Sequence, residues 1–232
     1  SNSGNTCLNT PYTVNNNIFG GSATQVTLSH DGDGYLDSTT FTSSPFSFTY
    51  TPGPNDAGDN VTITITTDNP DGSPCVPYVE TFVLTVNPSP TVDLGEDIVQ
   101  CSGTVTLDAG DGFSSYHWNT SGSGQTIIVS NSGTYSVTVT NEYNCSATDN
   151  IVVTIPNITV TLAQTTNGLR ATVSPTVSGN YTWYTCNDEV VTGVTGAIYT
   201  NPTIGECYYV VFKDNEYDCE FTSNPVTVTS IA

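Results

Sequence analysis

Residues 101–145 read CSGTVTLDAGDGFSSYHWNTSGSGQTIIVSNSGTYSVTVTNEYNC, with a cysteine at each end. Four short strands are written into this stretch. Thr104–Leu107 alternates polar and apolar, Tyr116–Trp118 is brief and aromatic, Gln125–Val129 is rich in β-branched residues, and Thr134–Thr140 keeps a period of two. Asp111-Gly112, the Ser-Gly pairs over 121–124 and Ser132-Gly133 supply the turns between them. No segment of the chain carries the period of a helix, so the fold class is all-β.

Trp118 on a middle strand, and Gly133-Thr134-Tyr135 leading into a late one, are what an immunoglobulin-like sandwich uses to fill its centre and pin a corner. Outward from this stretch the pattern recurs. Asn141-Glu142-Tyr143-Asn144-Cys145 returns as Asn215-Glu216-Tyr217-Asp218-Cys219, and Tyr116-His117-Trp118-Asn119-Thr120 as Tyr181-Thr182-Trp183-Tyr184-Thr185. Repetition on this scale describes a string of modules. The expected architecture is tandem immunoglobulin-like β-sandwich modules arranged in line, with boundaries at 1–87, 88–156 and 157–232. Asn87-Pro88-Ser89-Pro90 makes a stiff first joint and Pro156 marks the second.

Strands in the first module are expected at Pro11–Val14, Gln25–Ser29, Tyr35–Phe41, Phe46–Tyr50, Val61–Thr67 and Val79–Val86, behind a polar tail at Ser1–Thr6. The second module closes on Asn150–Ile155. The third runs through Ile158–Ala163, Leu169–Ser174, Tyr181–Thr185, Ile198–Thr200, Tyr208–Phe212 and Pro225–Ser230.

Composition narrows the function classes. Of 232 residues only 10% are charged, and 22 acids face two bases, Arg170 and Lys213, for a formal charge of -20. Two cations far apart in sequence cannot form a phosphate-binding patch, which excludes nucleic acid as a partner, and an anionic membrane surface is disfavoured for the same reason. No apolar run is long enough to span a bilayer, so direct membrane insertion is not expected. With no Met and no signal peptide, the chain is expected to be a processed product or a piece of something larger.

Seven cysteines, two histidines and no C-x-x-C fit oxidised bridges better than a zinc site, which places the protein outside the cytoplasm, extracellular or periplasmic. Cys7 near the start pairs naturally with Cys75 just before the last strand of the first module. A Cys101–Cys145 bridge would clasp first strand to last and stabilise a module of this size by roughly 4 kcal/mol. Cys186 is paired with Cys219, leaving Cys207 as a buried thiol or an intermolecular partner.

The stretch CSGTVTLDAGDGFSSYHWN…SGTYSVTVTNEYNCSATDNIVV resembles the immunoglobulin-like and polycystic-kidney-disease-like repeats of large cell-surface proteins secreted by Bacteroidota, gliding-type adhesins exported by type IX secretion among them. The first module is similar to a companion repeat of those proteins through Asp31-Gly32-Asp33-Gly34, Tyr50-Thr51-Pro52-Gly53-Pro54-Asn55-Asp56, Val61–Thr67 and Pro74-Cys75. The third is similar to the Trp-Tyr-x-Cys repeats beside them, although Cys207 and the long Lys213–Glu220 connection depart from that pattern. The resemblance implies a structural and adhesive segment at the cell surface, a disulfide-stapled stalk whose partners are other modules of the same long chain or filament, and surface glycans.

No cofactor is implied except calcium. Asp31, Asp33 and Asp37 stand at alternating positions of a Gly-rich loop where carboxylates can converge on a hard cation, but no Glu closes the loop at EF-hand spacing, and a plain β-turn is the favoured reading. Asp93, Glu96 and Asp97 lie beyond the first joint, where carboxylates could share a cation; a solvated acidic edge is favoured there. Asp37-Ser38-Thr39 resembles an O-glycan acceptor of that bacterial group, with Ser38 as its hydroxyl.

His30 and His117 have no adjacent Ser or Cys to form a nucleophile elbow, and no catalytic residue is assigned. The thirteen tyrosines fall mostly at strand positions and read as core rather than as a sugar platform. The competing function is an accessory carbohydrate-binding module of a secreted enzyme.

Overall fold

The structure, a computed structural model, describes residues 2–229. Apart from one 3₁₀ turn at Pro54–Asp56, its regular elements are all strands.

The first module contains β1 (Ser3–Cys7), β2 (Tyr12–Asn17), β3 (Val26–His30), β4 (Tyr35–Leu36), β5 (Thr40–Phe41), β6 (Phe46–Thr51), β7 (Asn60–Thr67) and β8 (Val79–Asn87). One sheet runs β1-β8-β7-β3-β5 and the other β2-β6-β4. Alternation makes the sandwich: Val61 and Ile63 of β7, Phe82, Leu84 and Val86 of β8, and Phe46, Phe48 and Tyr50 of β6 bury their side chains in one core.

In the second module β9 (Ile98–Val99), β11 (Ser115–Trp118), β13 (Gly133–Thr140) and β14 (Ser146–Thr154) form the sheet β11-β13-β14-β9, while β10 (Val105–Asp108) pairs with β12 (Thr126–Val129). The third has β15 (Thr159–Thr165), β16 (Gly168–Ser174) and β18 (Ile198–Tyr199) in one sheet. Its other sheet joins β17 (Gly179–Thr185), β19 (Cys207–Asp214) and β20 (Glu220–Thr222), with β21 (Val226–Thr227) also on β19. Each sheet draws its strands from one of the expected stretches 1–87, 88–156 and 157–232. By compactness the chain forms two units, Ser1–Leu94 with Asp108–Gln125 and Ser136–Asn150, and Gly95–Leu107 with Thr126–Tyr135 and Ile151–Ala232.

The repeat visible in the sequence is a repeat of register. Trp118 faces Val137 across β11 and β13, and Trp183 faces Val210 across β17 and β19. Both indoles are fully buried, and each donates its Nε1–H to a loop carbonyl, Gly124 and Gly196, at 2.9 Å. The tyrosine corner is also present: Tyr135 donates its hydroxyl to the Asn131 carbonyl at 2.7 Å, and the Tyr208 hydroxyl accepts from the Thr203 amide at 3.1 Å.

Four features differ from the sequence expectation. The polar start of the chain is not a tail, because Ser3–Cys7 pairs parallel with β8, from Ser3 opposite Val83 to Cys7 opposite Asn87. Tyr35–Phe41 is not one strand; β4 joins β6 and β5 joins β3, in different sheets. The two-residue β9 and the three-residue β20 carry too little periodicity to be read. The strand expected at Pro225–Ser230 is regular only over Val226–Thr227, and Ser230 lies outside the described residues.

Candidate functional site

Three disulfides close in the structure, Cys7–Cys145, Cys101–Cys219 and Cys186–Cys207, with Cα–Cα separations of 5.6, 5.3 and 5.3 Å; Cys75 is a free, exposed thiol. None of the pairs expected from sequence forms, and the reason is the same for each: a strand lies between the partners. Cys7 sits at the far end of β8 through the parallel β1, whereas Cys75 precedes the start of β8, so the nine residues of that strand, roughly 30 Å, separate them. A disulfide needs Cα atoms within about 7 Å. The same topology recurs in module two, where Cys101 follows the β9 that pairs parallel with the end of β14 and Cys145 immediately precedes β14. In module three Cys186 faces the start of β19 and Cys219 lies beyond its other end, so Cys186 takes Cys207, whose carbonyl accepts its amide at 2.9 Å.

Cys7–Cys145 spans the boundary expected at residues 87/88 and lies within one compact unit, Cys101–Cys219 spans that expected at 156/157 and lies within the other, and each ends on the hairpin of the repeated Asn-Glu-Tyr-x-Cys. In module two the Asn141 side-chain oxygen Oδ1 accepts the amides of Tyr143 and Cys145, both at 3.0 Å. In module three the buried Asp214 accepts those of Glu216, Tyr217 and Cys219 at 3.0, 2.7 and 2.9 Å. Asn144 and Asp218, just before the cysteines, both take the left-handed backbone at φ 60° that Asn and Asp tolerate. Each hairpin thus holds its cysteine from behind by a side-chain cap. Around Cys7–Cys145 the junction is reinforced: Asn141 Nδ2 donates to the Pro88 carbonyl at 2.8 Å, Ser89 Oγ donates to the Leu8 carbonyl at 3.1 Å, and Tyr143 and Asn144 share a shallow cleft with Tyr12 and Asn87.

The hairpin of module one, between β7 and β8, carries Cys75 with Val76, Pro77 and Tyr78 between it and β8, and Asn69 Nδ2 donates to the Cys75 carbonyl at 2.7 Å, a bond running the opposite way to those at Asn141 and Asp214. Beside it opens a groove of about 690 Å³ lined by Ile18, Phe19, Phe46, Val76, Tyr78 and Phe82. Ile18 and Val76 are about 80% exposed, at 80% and 81%, which is unusual for large apolar side chains placed together. Asp68 anchors the facing loop by accepting the Thr24 hydroxyl and the amides of Thr24 and Gln25; the Thr24 hydroxyl is the largest of the influences holding its carboxyl below the usual range.

The carboxylates read as calcium ligands do not converge. Asp31 Oδ1 accepts the Thr62 amide at 2.7 Å, Asp33 Oδ2 accepts Asn55 Nδ2 at 3.1 Å, and Asp37 Oδ1 accepts the Thr49 amide at 2.9 Å, so each pins a different piece of backbone or loop. Asp97 Oδ1 accepts the Val152 amide at 2.9 Å, and Asp93 and Glu96 are exposed. Among the described residues no group of three or more His, Cys, Asp or Glu is placed to hold a metal ion. Ser38 is half-buried and its hydroxyl donates to the Thr40 carbonyl at 3.2 Å, closing a local turn.

What the Asp-Gly-Asp-Gly loop wraps is a carboxylate that sequence reasoning passed over. Asp56 is 3% exposed and accepts the Asp33 amide at 2.6 Å, the Gly53 amide at 2.8 Å and the Tyr50 hydroxyl at 2.8 Å. Burial alone would raise its pKa, but these bonds outweigh burial and lower it. Burial and the bond to Asp56 push the Tyr50 phenol up, and that hydroxyl accepts the Gly34 amide at 2.8 Å. His30 packs edge-on against Tyr50 with ring centroids 5.0 Å apart; His117 is exposed on β11. Tyr50 and Asp56 both lie in the Tyr-Thr-Pro-Gly-Pro-Asn-Asp run that carried the resemblance of module one, which was the available signal.

No family model and no curated protein matches the chain. Among solved structures it is similar to the insect immune protein hemolin, at 11% identity over 98% of this chain and 73% of that one, with a TM-score of 0.33. It is also similar to Sidekick-1 immunoglobulin domains 1–5, at 15% identity over 94% and 59%, TM-score 0.25. A third likeness is to the Bacteroides ovatus mixed-linkage glucan utilization locus SGBP-B in complex with a mixed-linkage heptasaccharide, at 12% identity over 97% and 65%, TM-score 0.21. Likenesses at these scores assign no residue and no ligand.

Proposed function

We propose that the chain is a structural and adhesive segment of a long extracellular bacterial surface protein or filament, a stalk whose neighbouring modules are stapled by disulfides. The observation that carries this reading is the pairing of Cys7 with Cys145 and of Cys101 with Cys219, each joining a module to the next. A module that only had to fold could close its own bridge; a bridge to the neighbour holds a joint. Disulfides of this kind persist in oxidising surroundings, which supports an extracellular, cell-surface location. The acidic surface, with a formal charge of -20, keeps such a chain soluble and resists casual lateral pairing.

The test is a cell-surface one. A strain whose parent protein lacks residues 1–232 should display its remaining domains closer to the cell and lose attachment, while retaining any secreted hydrolase activity. Unchanged attachment sinks the reading. Binding of the isolated chain to a glycan array, with loss of a hydrolase activity in that strain, would replace it by an accessory carbohydrate-binding module.

A further inference from the structure

We propose that Cys75 is the receiving half of a third cross-module disulfide, whose donor is a cysteine following the first strand of another immunoglobulin-like module that stands ahead of module one in the same polypeptide. Two bridges of this kind are already closed. In each, the donor follows a short first strand lying parallel to the last strand of its module: Cys7 ends β1 beside β8, and Cys101 follows β9 beside β14. Such a cysteine is carried to the end of the module from which the chain leaves. The acceptor, Cys145 or Cys219, lies in the next module's hairpin immediately before β14 or β20, held by Asn141 or Asp214.

Module one has the acceptor and its surroundings. Cys75 lies in the same kind of hairpin, between β7 and β8, with Val76, Pro77 and Tyr78 before the strand begins; its carbonyl accepts from Asn69, and Cys7 is committed to Cys145 at the opposite end of β8. The apolar groove beside it, with Ile18, Val76 and Tyr78 uncovered, offers the contact surface that the end of a preceding module would bury. Tethering within one polypeptide raises the effective concentration of the donor thiol, as it does for Cys7 and Cys101.

The bond needs an oxidant, and the class is an external disulfide carried by a thiol oxidoreductase. The Cys75 thiolate attacks one sulfur of that disulfide to give a mixed disulfide. The donor thiolate then displaces the oxidoreductase sulfur. The S–S bond joins the two modules, and two electrons and two protons leave as the reduced dithiol of the oxidoreductase.

The inference rests on the stapled-stalk reading, and the experiment separates the two. The parent protein is taken from the cells that make it, its thiols are blocked under denaturing conditions, and it is digested without reduction for peptide mapping. The expected result joins the Cys75 peptide to one from the start of a preceding module, with no blocked Cys75. In Cys75→Ser the donor becomes blocked instead, a gain of one free thiol per chain, while the Cys7–Cys145 and Cys101–Cys219 peptides persist. Cys75 found blocked, capped by a small thiol, joined to Cys75 of a second copy, or joined to a separate polypeptide overturns the inference and leaves the stalk reading standing. Absence of the Cys7–Cys145 and Cys101–Cys219 peptides from the wild-type protein overturns both. The wild-type map decides the question even if the variant fails to fold.

Discussion

Asp56 is a buried carboxylate, and among the described residues no Lys, Arg or His pairs with it to compensate its charge. Backbone amides and the Tyr50 hydroxyl do so instead, and the glycines of Asp31–Gly34 let the loop close over them. A Cβ on Gly34 would run into the Thr51 carbonyl, and one on Gly32 into the Tyr50 hydroxyl. Asp56→Ala strands three donors and should cost roughly 3 kcal/mol in urea unfolding. Gly34→Ala should cost roughly 2 kcal/mol by overpacking. The pH dependence has a definite sign. Because the folded pKa of Asp56 lies below the ordinary 3.8, its contribution is fully present above that value and disappears as pH falls through the folded one. The stability gap between wild type and Asp56→Asn should therefore be constant from about pH 7 down to about pH 5 and shrink below about pH 4. A gap that stayed flat to the acid transition would show that Asp56 does not carry its charge in the fold.

At the scale of the hairpin, module three solves the problem of module two with one residue more. The Asn141 amide reaches the Cys145 carbonyl at 3.0 Å and the Asp214 amide that of Cys219 at 3.0 Å, so the structural partner of Asn141 is Asp214 and not the Asn215 that aligns with it in sequence. Asn141 accepts through one oxygen, but Asp214 uses both, Oδ1 for Glu216 and Tyr217 and Oδ2 for Cys219, so Asp214→Asn puts an NH2 group against a backbone amide and should lose roughly 1 kcal/mol. Asp214→Ala should lose roughly 2 kcal/mol and slow re-formation of Cys101–Cys219 after reduction, as read by thiol trapping during refolding. No loss in Asp214→Asn would mean that one acceptor oxygen is enough to hold the turn, as it is at Asn141. The strands, the two tryptophans and the tyrosine corner were legible because each has a periodic or compositional signal. The bridges were misread because Ser3–Cys7 looks like a polar tail; its order comes from pairing with β8, a partner 80 residues away. Once Cys7 is known to follow a strand parallel to the last one, Cys75 is excluded as its partner by strand length alone. The plain turn was the favoured reading of Asp31, Asp33 and Asp37, but what their carboxylates hold was not legible, because each accepts from a partner distant in sequence once the loop has closed on Asp56.

For the whole molecule the arrangement of the bridges fixes how far it can be drawn out. The loop closed by Cys7–Cys145 and that closed by Cys101–Cys219 overlap across residues 101–145. The shortest covalent route between the chain ends therefore runs from the N-terminus to Cys7, crosses to Cys145, returns along the chain to Cys101, and crosses to Cys219. Residues 101–145 are thus the stretch of backbone that bears tension between the two bridges while both hold. Entropically each of these loops should contribute about 5 kcal/mol and the Cys186–Cys207 loop about 3 kcal/mol taken singly. Under force the covalent route matters more than these energies, because it limits extension even after every module unfolds. At about 3.5 Å per residue, the oxidised chain should stop at roughly 23 nm and the reduced chain at roughly 80 nm in single-molecule pulling from its two ends. Replacing Cys7 and Cys145 by Ser opens only the first bridge, and the limit should rise to roughly 40 nm. Bridges closed within each module, Cys7 to Cys75, Cys101 to Cys145 and Cys186 to Cys219, would instead give a wild-type limit of roughly 30 nm. An oxidised wild-type chain that extended as far as the reduced one would remove the basis for a stapled stalk.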